Sequence, residues 1–117
     1  YEVVIINGKD YPVRFGMNAL RMFCKDTDRA LSDLDKLGES MSLDDACYLI
    51  LNGIKDGCRV SGKECSLDID QVADLLDEDF EALNKVLEVF SEQFSAKFSE
   101  EDKEGNVKAP KGAKAKK

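Results

Sequence analysis

The sequence predicts an α+β domain, an N-terminal β-hairpin packed on a bundle of four to five helices. Three observations predict it. A β-branched run, Val3-Val4-Ile5-Ile6, is followed across Asn7-Gly8 by the alternating Tyr11, Val13 and Phe15. Two later stretches, around residues 43–60 and 79–98, repeat apolar residues at steps of three and four, the helical period. Ser, Asp and Gly stand where those helices should start or stop.

The elements follow in order. The hairpin spans about residues 2–15. Asn-Gly is the strongest short hairpin signal because both residues tolerate positive φ, and Pro12, lacking an N–H, belongs where no ladder bond is needed. Gly16 breaks the second strand, and Asn18 is the expected cap of a helix over about 18–26, with Leu20, Phe23 and Cys24 on one face. The stretch from Asp26 to Met41 is polar, with scattered Leu31, Leu34 and Leu37; it reads as a loop holding a short helix near 32–37, stopped by Gly38.

Ser42 opens a helix over about 43–60, with Asp45 at its third position as an acidic variant of the capping box. Leu43, Ala46, Cys47, Ile50 and Ile54 form its stripe, widened by Leu49 and Leu51, so this helix should be central. Gly53 and Gly57 weaken it without ending it. Asp68 and Gln71 box a short amphipathic helix over 69–77. Asp77-Glu78-Asp79 then suits the start of a last helix over 79–98, since anions stabilise a helix N-terminus. Phe80, Leu83, Leu87, Phe90, Phe94 and Phe98 recur along it, more apolar surface than a domain of this size needs to cover itself.

Of 117 residues, 43% are hydrophobic, enough for one small core, assigned to residues 1–99. Residues 100–117 hold six Lys and four acids, net +2, without aromatics, and should be a disordered Lys-rich tail. The chain total of −7 then leaves 11 basic and 20 acidic residues in 1–99, net −9. An acidic body repels phosphate backbones, which argues against nucleic acid as a partner. No apolar run approaches the roughly 20 residues a bilayer span requires.

Residue types for catalysis are scarce. There is no His, which removes Ser-His and Cys-His pairs and the commonest zinc ligand. Cys24 and Cys47 fall in apolar helical stripes, so the four cysteines, with Cys58 and Cys65, read as free thiols of a cytoplasmic protein. Cys47 and Cys58 lie eleven residues apart, about 16 Å along one helix, too far to share a zinc. Asp68-Ile69-Asp70 only superficially resembles a calcium loop, because Val72 and Ala73 occupy the fifth and sixth places. Asp44/Asp45 and Asp77/Glu78/Asp79 sit at helix starts, where the dipole already explains them. The residues therefore point to a small interaction domain with no catalytic residue, cofactor or metal. Phe90, Phe94 and Phe98 are the candidate partner-binding surface, with burial in the core as the equal alternative for this stripe.

The run Ile6-Asn7-Gly8-Lys9-Asp10-Tyr11-Pro12-Val13-Arg14-Phe15-Gly16-Met17-Asn18-Ala19-Leu20 resembles the front of the tail assembly chaperones of long-tailed bacteriophages and prophages. There an I-N-G-K-x-Y-x-[LV]-R-F strand pair leads into x-x-A-L-x-x-F. Leu31-Ser32-Asp33-Leu34, Met41-Ser42-Leu43-Asp44-Asp45, Leu49-Ile50-Leu51-Asn52-Gly53 and Val72-Ala73-Asp74-Leu75-Leu76-Asp77 continue the resemblance, which covers about residues 3–98. It implies assembly work in the bacterial host cytoplasm. Such proteins bind the long hydrophobic tape-measure protein in many copies and keep it soluble until tail-tube subunits displace them. It also implies a contact with tail-tube protein and a longer frameshifted form; self-association is a further use that the Phe stripe itself leaves open. A structural tail or head–tail component and a generic helical interaction module are the alternatives. A thiol protein using Cys58 or Cys65 is a further one, and it requires a lowered thiol pKa.

Overall fold

The chain begins as a hairpin in which β1 (Glu2–Ile6) pairs antiparallel with β2 (Lys9–Val13), with Glu2 opposite Val13, Val4 opposite Tyr11 and Ile6 opposite Lys9. Asn7 and Gly8 take φ of 52° and 79°, the two positive values of a type I′ turn. Counting out from that turn, Val3 and Pro12 form a pair without ladder bonds, so the missing proline N–H leaves no gap. A computed structural model describes the backbone of residues 1–103 and the side chains through residue 97. Beyond the hairpin lie α1 (Met17–Thr27), a 3-10 helix (Leu31–Glu39), α2 (Leu43–Ser61), α3 (Ile69–Glu78) and α4 (Glu81–Lys103). The architecture is α+β, as the sequence predicts.

The central helix is α2, buried on several sides through Ala46, Cys47, Leu49, Ile50, Leu51, Ile54 and Cys58. Leu43, expected in its stripe, is instead 67% exposed. It is the first helical residue, and it lies before the helix enters the core. The two glycines of α2 have a packing role that helix propensity alone does not reveal. The Gly53 carbonyl accepts from Arg14 N–H at 2.9 Å, and a Cβ on Gly53 would lie 2.6 Å from the Phe15 ring. A Cβ on Gly57 would lie 2.7 Å from Val13 N and collide with the Pro12 carbonyl. Helix and strand backbones touch there, and only glycine leaves room.

Below that contact, Asp56 is buried and accepts from Gly16 N–H at 3.0 Å, Arg14 Nη1 at 3.2 Å and Arg59 Nη2 at 2.7 Å. With its N–H held by Asp56, Gly16 adopts an extended conformation, and its carbonyl accepts the first helical bond, from Leu20 N–H. Helix α1 therefore starts at Met17. Asn18 is not its cap; it lies in the first turn, where its side chain accepts from Arg21. The two capping boxes do form: Ser42 with Asp45, and Asp68 with Gln71.

The N-terminal segment is tied at three heights, once to the α3–α4 junction and twice to α4. Asp79 accepts from Asn7 N–H at 2.8 Å, Lys85 Nζ donates to the Ile5 carbonyl at 3.2 Å, and Gln93 Oε1 accepts from Phe15 N–H at 2.8 Å. The lysine covers part of the open edge of β1, a common way to discourage strand-to-strand association. Phe80 lies outside α4, between it and α3, and is 60% exposed. The helix continues through Lys103, past the boundary expected at residue 99, because adding a residue to an existing helix needs no new nucleation. The rest of the expected Lys-rich tail, residues 104–117, lies outside the described residues.

Candidate protein-docking groove

Leu31, Leu34 and Leu37 are three residues apart, and the segment that carries them is a 3-10 helix, whose period is three. The spacing lines the leucines along one edge. Leu34 and Leu37 are buried, while Leu31 is 54% exposed. Together with Asp35 and Gly38 they form one wall of an open groove of about 570 Å³. The opposite wall is α4, through Leu87, Phe90, Ser91, Phe94 and Ser95.

Clamped at both ends, the leucine wall is held in place although it is a short, kinked element with Lys36 out of helical geometry. At its start, Asp33 accepts from Ala30 N–H at 2.9 Å. At its end, Arg29 Nη2 donates to the Ser40 carbonyl at 3.0 Å and to the Asp45 carboxylate. Asp45 also accepts from Ser42 N–H, so the Arg29–Asp45 pair joins the segment after α1 and the end of the 3-10 helix, through Arg29, to the start of α2, through Asp45. Burial pushes the Asp45 carboxyl up, but the hydrogen bonds from Arg29 and Ser42 outweigh it and hold the group below the ordinary carboxylate value.

An aromatic ladder makes the floor and the α4 wall. The Phe90 ring stands edge-on to Phe15, and Phe94 stacks on Phe90 with centroids 5.4 Å apart. The three Phe candidates thus have different placements. Phe90 is 6% exposed and belongs to the core, with only its rim at the groove. Phe94 is half-buried and forms part of the wall. Phe98 lies outside the described side chains. The apolar arc of α4 is wider than the surface it covers: Ala82, Val86 and Phe90 face the core, whereas Leu83, Leu87 and Phe94 lie half-buried along one flank. Sequence reasoning missed the leucine wall. The signal was present in the steps of three, which read as scattered under a helical period of 3.6.

Elsewhere, Cys58 and Cys65 share a smaller cavity of about 250 Å³ beside Pro12 and Tyr11. All four cysteines are free. Burial pushes the thiols of Cys58, Cys24 and Cys47 up, which lowers the thiolate fraction a nucleophile needs. Among the described residues, no three His, Cys, Asp or Glu side chains are grouped to hold a metal ion, and no helix is long and apolar enough to cross a membrane. Asp45, Asp68 and Asp79 are engaged with backbone N–H groups at or near helix starts. No protein-family model, curated protein or solved structure matches this chain.

Proposed function

We propose that this protein is a tail assembly chaperone of the long-tailed phage type, a non-enzymatic binder that shields the apolar helices of a tape-measure protein until the tail tube forms. The observation that carries the reading is the open groove between the 3-10 helix and α4, whose walls present Leu31, Leu87 and Phe94 beside a buried floor. The resemblance along about residues 3–98 suggests the partner, and the apolar walls of the groove support that reading.

Magnitudes favour a transient role. Covering about 300 Å² of apolar surface yields roughly 7 kcal/mol gross at about 25 cal/mol per Å². Lost translational and rotational freedom costs roughly 4–15 kcal/mol. A single site would then bind weakly and let go easily. Many copies along one long chain would still keep it covered, through avidity if neighbouring copies also touch one another. Weak individual contacts are what later displacement by tube subunits requires.

Co-expression tests the reading. The full chain, produced together with a phage tape-measure protein, should keep that protein soluble and co-purify with it, and should be absent from finished tails. Leu31→Ser and Phe94→Ser should each lower the soluble yield. Retention in finished particles would make the protein a structural tail component. An insoluble partner despite folded protein would overturn the proposal.

A further inference from the structure

We infer that the groove takes one amphipathic helix of another protein, with an apolar stripe flanked by Lys or Arg. This rests on the reading of the groove as a protein-docking site and specifies the occupant. Both walls are helical, so neither offers a strand edge to pair with, and backbone that an occupant buries against them must find its hydrogen bonds within the occupant. A helix does so, and its residues at i, i+3, i+4 and i+7 would meet Leu31, Leu87 and Phe94.

The rim decides the charge. Asp35 and Glu39 stand on the 3-10 side, where Lys36 is the one cation. On α4, exposed Glu88 and Glu92 lie one helical turn from the wall residues Ser91 and Ser95. Lys97 lines a different cavity, on the other flank of α4. The groove is therefore an apolar trough with an acidic margin. A second copy of this chain is a poor occupant, because residues 1–99 carry a net charge of −9 and would bring like charge to that margin. Residues 104–117 of the same chain are basic but offer Val107 as their one large apolar residue, too little to fill the trough.

Two synthetic 20-residue helices test this on the full chain, with the same leucine stripe and either Lys or Glu on both flanks. Each exposed ion pair contributes roughly twofold, so the Lys peptide should bind about tenfold more tightly at low salt. The gap should close near 1 M salt, where the Debye length is about 3 Å. Asp35→Lys with Glu88→Lys and Glu92→Lys should reverse the preference, and Leu31→Ser, at an exposed position, should weaken both peptides. Equal affinities, a preference the triple variant leaves unchanged, or binding insensitive to Leu31→Ser would each overturn the inference. So would a dimer that excludes peptide, or tighter peptide binding on deleting residues 104–117. The two proposals fail separately. A groove that takes the Lys peptide while the long partner stays insoluble defeats the chaperone role alone. A solubilised partner unaffected by the rim variant defeats only the assignment of the occupant.

Discussion

Phe90 meets Phe15 edge to face, with ring centroids 5.3 Å apart and planes at 89°. The contact joins the end of the hairpin to the last helix and sets where the α4 wall stands. Phe15 is itself seated over Gly53, so three elements converge on one ring. Phe90→Ala should therefore act on stability, costing about 3–5 kcal/mol as a large-to-small change in a closed core. Phe94→Ser should cost clearly less and act mainly on binding. Urea unfolding of both variants, beside peptide binding at the groove, separates the two roles.

Gly57→Ala reverses the usual sign of a glycine replacement inside a helix. Propensity alone favours Ala by about 1 kcal/mol. The added methyl would meet the Pro12 carbonyl and Val13 N, which are backbone atoms and cannot rotate away. Overpacking of this kind costs about 1–3 kcal/mol, so a net loss of stability is expected. A higher denaturation midpoint would show that the strand moves off α2 easily.

Asp56→Ala should destabilise the β2–α1 corner. The buried carboxylate is the acceptor for Gly16 N–H and for two arginines. Its removal strands a backbone donor and costs about 2–3 kcal/mol. Amide exchange should report the loss first at Gly16 and in the first turn of α1.

The leucine wall should be acid-labile. Arg29 and Ser42 hold the Asp45 carboxyl below its ordinary value of 3.8. A group depressed in the folded state contributes stability above its unfolded pKa, and that contribution is lost as pH falls through the folded one. The order of the 3-10 segment should therefore be steady at and above pH 5 and weaken below about pH 4. Asp45→Asn should remove this local pH dependence and, at pH 7, cost about 1–3 kcal/mol. Amide exchange in the 3-10 helix, measured from pH 7 down to pH 3, checks both.

Much of the fold was legible in the chain because its signals are local. Asn7-Gly8 demands positive φ and makes a tight turn. Ser42 with Asp45, and Asp68 with Gln71, start helices through contacts three residues apart. Apolar spacing placed α2 and α4 and identified α2 as central. Where such signals misled, a distant partner had intervened. Asn18 is a good cap by type, but Asp56, forty residues away, holds Gly16 and starts α1 earlier. Leu43 has the right period but sits before the core begins.

The groove was decided only in three dimensions. Sequence alone established the hairpin, the order of the helices and an excess of apolar surface on the last one, since each follows from neighbours along the chain. It did not show that Phe90 faces the core while Phe94 lines a wall, nor that Leu31, Leu34 and Leu37 stand opposite them. Those placements depend on how far α4 is rotated and where the 3-10 helix is clamped. Both are set by contacts between residues far apart in sequence, Phe15 with Phe90 and Gln93, and Arg29 with Asp45, which no local pattern encodes.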